Sequence, residues 1–544
     1  MDVRSYAHGG SATPLRGETI GELLDHAVAL HADAEALVSR QQQVRHTYRS
    51  LNAAVDEVAG GLLSLEIERG ERVGIWSPNS VEWVLVQFAT ARIGAILVNI
   101  NPSYRTAELT YALDHAGCRA LIAAPGHGSS DYAAMLAEAA PELPQLEHTV
   151  LLGGPDWEAF LERGRAIDPR RIRERQASLD ADDPINIQFT SGTTGPPKGA
   201  TLSHHNLVNN AVFVGECCRY TSADRVCVPL PLYHCFGMVA GSLACVASGA
   251  CMVLPGASFD PGNVLAAIEE ERCTSLYGVP TMFIAELEHP TFDDHDLSSL
   301  RTGIMGGSPC PVEVTQRVIS QMDMPELTLG FGMTETSPVS TQCRVDDPIE
   351  QRIRSVGRVH PHVELRVADP ASGRTVERGR SGELLVRGYS VMLGYWDDPA
   401  RTDEVIDQQG WMHTGDLATM DADGFVNIVG RTKDLIIRGG ENISPREVEE
   451  VLYAHPAVSD VQVVGVPDDR YGEEVVACVM PRAGHEPTVD ELRSFCRERL
   501  ASFKVPAYVV LVADFPMTVT GKVQKFRLRE LMRERLDRHA VATA

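Results

Sequence analysis

The sequence predicts an α/β protein: a large N-terminal domain of stacked α/β subdomains plus a β-rich subdomain, followed by a small α+β C-terminal domain. Alternation is the first observation, since strand-like and helix-like segments follow one another along the early chain as a helix-covered parallel sheet requires. The second is a change of rhythm near residue 350, where short β-rich pieces separated by turn residues take over. Length is the third, because 544 residues at ~150 per domain leave room for three or four units.

Each segment has a local reason. Near Val73 the chain reads RVGIWSP, VEWVLVQFATARIG and AILVNI, a strand, a helix and a strand. ELTYALDHAG and RALIAAP repeat the order after Ala107. Residues 238–254, MVAGSLACVASGACMVL, fall short of the ~20 residues of a bilayer span and are rich in Gly, Ala and Ser, so they read as a buried helix entering a buried strand. Beyond residue 350, VELRVADP, GELLVRG, LATM and FVNIVG read as antiparallel hairpins. Asp421 to Gly424 forms a turn rather than a calcium loop, because position twelve of such a loop would be Thr432 in place of Glu. At SPREVEEVLYAHP a helix begins, with Ser444 as N-cap, Pro445 at the first helical position and Glu447 as capping-box partner. Another starts at Thr488 with Glu491 three residues on, among strands near VSDVQVVGV, GEEVVACVM and YVVLVA. The expected domains are residues 1–432 and 433–544.

Composition narrows the function classes. Hydrophobic residues at 44% and charged residues at 23% describe an ordinary core-forming chain. With 49 Lys+Arg against 74 Asp+Glu the net charge is −25, which disfavours a general affinity for nucleic acid or anionic membrane. Any anionic ligand must be held by local cations. The 12 cysteines show no CxxC pair or zinc-type spacing, so buried, reduced thiols are expected. MDVRSYAHGG at the start and HAVATA at the end carry no recognisable targeting signal, and the expected location is cytoplasmic.

Chemistry concentrates in a few loops. Between a strand ending at Phe189 and a helix that Ser203 can cap lie Thr190, Ser191, Gly192, Thr193, Thr194, Gly195 and Lys198. Closely spaced glycines, hydroxyls and one lysine suit phosphate oxygens. A Walker A loop is excluded, because Lys198 is followed by Gly199.

TSGTTGPPKG resembles the phosphate-binding signature of the adenylate-forming (AMP-binding) superfamily of acyl- and aryl-CoA synthetases, which includes firefly luciferase and peptide-synthetase adenylation domains. Other signatures of that superfamily follow in order. GFGMTE at 330–335 resembles the segment with the adenine-stacking aromatic, which implies Gly330, Phe331 and Gly332 around the base, Thr334 on the α-phosphate and Glu335 on Mg²⁺. MGGSP at 305–309 is similar to the adenine-side loop, with Gly307 and Ser308 allowing close backbone approach. HTGD and GRTKD place Asp416 and Arg431 on the ribose. PMTVTGKVQK resembles the final motif and implies Lys522 as the catalytic lysine, an ammonium offsetting charge where two anions meet.

The resemblance implies a fatty-acyl-CoA synthetase of the medium-chain type. ATP, with Mg²⁺, activates a carboxylic acid of medium to long chain as acyl-AMP, and coenzyme A then displaces AMP. It further implies that the C-terminal domain is mobile and turns about Lys433. RGGENISP, with Arg438, Gly439 and Gly440, is similar to the loop along the pantetheine path. Ile437 departs from the Lys that luciferase and several relatives carry there. His234 in PLYHCFGM matches the position at the acyl carbonyl, and the stretch from Pro229 to Ser242 holds no Asp to pair a substrate ammonium. Alternatives are an aryl-CoA ligase of the coumarate or benzoate type, an acyl-AMP ligase that loads a carrier protein, and a degenerate binding protein. Expected partners are the small-molecule acid, ATP and CoA, with no nucleic acid and no integral membrane segment; a homodimer is compatible with the sequence.

Overall fold

Parallel strands bring distant segments of this chain to common edges. The computed structural model describes residues 3–190, 196–468, 470–518 and 522–543. Among them a seven-stranded sheet has the order Gly394–Tyr395, Lys198–Ser203, Pro184–Thr190, Ile96–Asn99, Arg72–Trp76, Cys118–Ala123, His148–Leu151. A nine-stranded sheet runs Arg358–Val359, Val339–Gln342, Glu326–Gly332, Thr302–Gly306, Ser275–Gly278, Arg225–Cys227, Cys251–Leu254, Glu35–Ser39, Val44–Thr47. In each the central strands are parallel and joined through helices, as the βα alternation predicts.

Between these layers lies the helix Val81–Ile93, every residue of which is buried except Glu82. A helix apolar on all sides belongs in an interior. Its one internal cation, Arg92, is paired with Asp25 at 2.7 Å and Asp56 at 2.5 Å and also meets Asn52 at 2.8 Å. Strands of both parallel sheets and of the β-rich sheet share one apolar cluster with this helix.

The β-rich part is an antiparallel five-stranded sheet, Tyr6–His8, Val363–Ala368, Gly382–Gly388, Met412–Met420, Val426–Arg431. Asp421 forms the expected turn by accepting the amides of Asp423 and Phe425. The C-terminal part pairs the long strands Val458–Asp468 and Gly472–Pro481, adds Tyr508–Leu511, and packs helices on apolar cores of its own. All 12 cysteines are buried free thiols. No helix among the described residues is long and apolar enough to cross a membrane.

Two local expectations are corrected. The segment from Phe189 to Ser203 is not one loop: Lys198–Ser203 is a strand paired antiparallel with Pro184–Thr190, and Ser203 then caps the helix His204–Cys217 with Asn206 completing the box. At Ser444 the helix Pro445–Tyr453 starts as expected, but without a capping box. The Ser444 hydroxyl donates instead to the Val429 carbonyl, and Glu447 pairs with Lys504 at 2.6 Å.

Glu286, on the helix Pro280–Leu287, is the least compensated group in the interior. It is fully buried among apolar side chains, and neither carboxyl oxygen has a partner among the described residues. Burial pushes its pKa well above the ordinary 4.5, which favours the protonated carboxyl in the fold. In the unfolded chain the group ionises above 4.5, and stability is therefore lost as pH rises from that value toward the folded-state one. Glu286→Met is expected to stabilise the protein at pH 8 by about 2 kcal/mol and to flatten its loss of stability with rising pH. Denaturant midpoints of both proteins across pH check this, and parallel curves contradict it.

Candidate active site

The C-terminal ends of the parallel strands build the site. Arg225–Cys227 leads to the loop carrying His234, Thr302–Gly306 to Gly307 and Ser308, and Glu326–Gly332 to Thr334 and Glu335. From the other sheet, the hairpin register sets Thr190 opposite Lys198. Crevices at such strand ends are where open α/β sheets take ligands. Ser191, Gly192, Thr193 and Thr194, assigned to the phosphate loop, lie outside the described residues.

Glu335 is buried, and its Oε1 accepts from the Thr190 hydroxyl at 3.1 Å and the Tyr395 hydroxyl at 3.0 Å. The Lys198 ammonium lies 4.9 Å from the centroid of the same Tyr395 ring. This cluster offers a carboxylate, hydroxyls and a cation at one point. Next to it the Thr334 hydroxyl lies 3.4 Å from Cys235 Sγ. Gly332 is obligatory, since a Cβ there would fall 1.7 Å from the Pro338 carbonyl oxygen. Gly307 adopts φ +84° and leaves room at its Cα for Lys522, whose Cε would lie 3.5 Å from an added Cβ. Phe331 is half-buried against the main core.

Asp416 and Arg431 face each other across neighbouring strands of the β-rich sheet. The Arg431 Nε donates to Asp416 Oδ1 at 2.9 Å. Burial raises the Asp416 pKa, while Arg431 and then Lys522 work the other way.

Lys522 reaches this cleft from the C-terminal part. The Thr518 amide donates to the Lys522 carbonyl at 2.7 Å, and the Lys522 amide donates to the Thr518 hydroxyl at 3.0 Å. Three residues on, Lys525 pairs at 2.6 Å with buried Glu449 and ties the segment down. Lys522 is half-buried and lines a cavity of about 10 Å³ with Leu230, Pro231, His234, Phe236, Gly237 and Val279. Burial lowers its pKa most; Cys235 opposes that, Arg431 adds to it, and the negative charges of Asp416 and Glu335 oppose it further.

His234 is held neutral. Burial, then the Lys522 charge, lowers its pKa to about 3. Its Nδ1 accepts the Phe236 amide at 3.2 Å, which leaves the proton on Nε2 as a donor.

The structure thus brings together Thr190, Lys198, His234, Gly307, Thr334, Glu335, Asp416, Arg431 and Lys522. Arg438, Gly439 and Gly440 stand apart. The Arg438 guanidinium grips Glu474 at 2.7 and 2.8 Å over the Tyr471 ring, all within the C-terminal part, while Gly439 and Gly440 adopt positive φ in the turn beside it. Sequence reasoning missed Tyr395 and Glu449, which carry no motif, and assigned no role to Lys525, although it ends PMTVTGKVQK.

Comparison with known proteins identifies the family and fold relatives of the chain. The AMP-binding enzyme family matches residues 24–396, and the AMP-binding enzyme C-terminal domain matches residues 447–522. YngI of Bacillus subtilis (strain 168) is 46% identical over 531 residues, 94% of this chain and 96% of that protein. The mitochondrial medium-chain acyl-CoA ligase ACSF2 of Danio rerio is 44% identical over 552 residues, 98% of this chain and 91% of that protein. The crystal structure of the anthranilate CoA ligase AuaEII in complex with anthranoyl-AMP is similar with a TM-score of 0.86 at 28% identity, covering 95% of this chain and 98% of that one.

Enclosure of His234 has a pH signature. The folded ring stays neutral down to about 3 while the unfolded ring protonates below 6.5, so this group withdraws stability as pH falls below 6.5. Selective imidazole labelling and NMR are expected to show no titration of His234 between about pH 5 and pH 8. A midpoint at the ordinary histidine value contradicts the enclosure.

Proposed function

The chain belongs to the AMP-binding enzyme family, and on that premise we propose that it is an ATP-dependent acid–thiol ligase that activates a fatty acid of medium to long chain as acyl-AMP and transfers the acyl group to CoA. One observation carries the reading. An amine from the C-terminal part, Lys522, enters a cleft where Glu335, Asp416, Arg431 and His234 meet. The name of the Danio rerio relative supports CoA as acceptor and a medium chain as tail. No Asp lies between Pro229 and Ser242, which favours an uncharged tail over an amino acid.

In the first half-reaction a carboxylate oxygen attacks the α-phosphorus of ATP and pyrophosphate leaves. Two anions approach, so the Lys522 ammonium offsets charge at the point of attack, and the Thr334 hydroxyl donates to an α-phosphate oxygen. His234 Nε2–H orients the carboxylate from the acyl side. Lys198 and the loop of Thr190 to Thr194 hold the outer phosphates. Asp416 accepts the ribose hydroxyls with Arg431 beside it, and Phe331 stacks on adenine between Gly330, Gly332 and the Gly307–Ser308 backbone. Mg²⁺ suits the donor set, one buried carboxylate at Glu335 with neighbouring hydroxyls and substrate phosphates to complete a hard oxygen shell. There it would supply charge neutralisation on the phosphates.

In the second half-reaction the CoA thiolate attacks the acyl carbon and AMP leaves. We place the domain boundary at 432/433, with Lys433 as hinge, so that rotation withdraws Lys522 and brings Arg438, Gly439 and Gly440 toward the thiol path. The reading includes a cytoplasmic location, to which twelve free thiols are suited, and leaves room for a homodimer. An aryl acid is the second reading, supported by the likeness to AuaEII.

Incubation with ATP, Mg²⁺ and aliphatic and aromatic acids, with and without CoA, is expected to yield AMP and an aliphatic acyl-CoA by mass spectrometry. Preference for benzoates shifts the assignment to aryl acids, and acyl-AMP persisting beside CoA points to a carrier-protein acceptor. Lys522→Ala is expected to lower acyl-AMP formation at least ~100-fold while thioester formation from supplied acyl-AMP stays near wild type. Equal loss of both steps contradicts the role of Lys522.

A further inference from the structure

Beyond the reacting groups, and besides the Ser444 and Arg446 side chains that donate to the Val429 and Ile428 carbonyls close to the boundary, the C-terminal part meets two helices of the rest of the chain. The helix Val312–Gln321 begins just after Gly307 and Ser308 and has Pro311 at its cap, so it has no side-chain cap of its own. The Glu450 carboxylate of the helix Pro445–Tyr453 lies close enough to its first amide, on Val312, for that amide to oppose the rise that burial gives the Glu450 pKa. Glu450 is steadied by Arg446, 3.6 Å away on the same helix. A helix N-terminus welcomes an acidic acceptor, and here it comes from the other domain. At the next residue, Glu313 pairs with Arg482 at 3.0 Å. The third contact lies at the end of the helix Pro280–Leu287, where the Ser459 hydroxyl meets the Glu288 carboxylate at 3.0 and 3.1 Å.

These contacts share a consequence for Lys522. One helix follows the strand that ends at Gly306, the other the strand that ends at Gly278. Gly307 and Val279, the residues between those strands and helices, both lie against Lys522. Fastening the C-terminal part to the two helices therefore sets the lysine against the two loops that face it. Arg482 and Glu313 side chains are 29% and 34% exposed, and pairs of that kind are weak enough to break in each cycle.

We propose that Glu450, Arg482 and Ser459 form a clasp on Val312, Glu313 and Glu288 that holds the C-terminal domain in the arrangement presenting Lys522, making them positioning residues for acyl-AMP formation and not for thioester formation. This deepens the ligase reading and rests on it for the division into two half-reactions. Loss of the clasp lowers the fraction of molecules with Lys522 in place and leaves the cleft itself intact.

Two measurements test it. In single-turnover assays, Arg482→Glu is expected to slow acyl-AMP formation about threefold to tenfold and to leave thioester formation from supplied acyl-AMP unchanged or faster. Adding Glu313→Arg is expected to restore the first step, which a general folding defect would not permit. Equal slowing of both steps, or no slowing in the triple variant Glu450→Gln, Arg482→Ala, Ser459→Ala, overturns the clasp. The second measurement needs no turnover. Trace acetylation with acetic anhydride, read by peptide mass spectrometry against Lys198, is expected to label Lys522 faster in Arg482→Glu than in the wild type, and unchanged labelling overturns the proposal. A wild type that makes no acyl-AMP from any acid refutes the ligase reading instead, and the labelling result still decides the clasp.

Discussion

A half-buried ammonium loses hydration that neighbouring carboxylates offset only in part, and the arrangement of this chain sets that balance at Lys522. Burial and Arg431 disfavour the charged amine, while Asp416 and Glu335 favour it. The two carboxylates come from different sheets and the amine from a third unit. No single domain of this protein contains the whole group. Bringing it together requires the β-rich sheet, the ends of the parallel strands and the C-terminal part in one place, and withdrawing the lysine would dismantle it. A reaction that needs the amine for one step and its absence for the next suits such a division.

Rigid supports surround the parts that meet. Thr190, Gly307, Thr334 and Glu335 all stand at strand ends backed by buried apolar cores. Glu335 is fixed by two hydroxyl donors before any ligand arrives. His234 is oriented through the Phe236 amide, which leaves its proton on Nε2. In the C-terminal part, the Lys525–Glu449 pair anchors the chain next to Lys522. Groups placed in this way need little rearrangement at the moment of reaction, which is where fixed dipoles and charges contribute most.

Much of this was legible in the sequence because it depends on local pattern. Apolar runs such as ILVN and the all-round apolar helix Val81–Ile93 announce a buried parallel layer, and the order of short motifs announces the cleft. What was hidden depends on register or on partners far away in the chain. Lys198–Ser203 follows Gly, Pro and Pro and reads as loop, yet it becomes a strand because Thr190 and the residues before it offer a paired edge. Residues 236–243 are apolar enough to predict a helix, but their π-helical turns have no signature in composition. The cap at Ser444 matched the pattern and failed, since the Val429 carbonyl claimed the hydroxyl. Tyr395 and Glu313 acquire meaning only from Glu335 and Arg482, residues 60 and 169 positions away.

The central claim is that one cleft, closed by the C-terminal domain, holds the acyl-adenylate between Asp416, Lys522 and His234. A crystal structure with a non-hydrolysable acyl-sulfamoyl adenosine tests it most directly. The account predicts ribose hydroxyls on Asp416, the sulfamoyl group beside Lys522 and Thr334, and the acyl carbon next to His234. An adenosine bound away from Asp416, or a filled cleft with Lys522 directed into solvent and the C-terminal domain still docked, would contradict it.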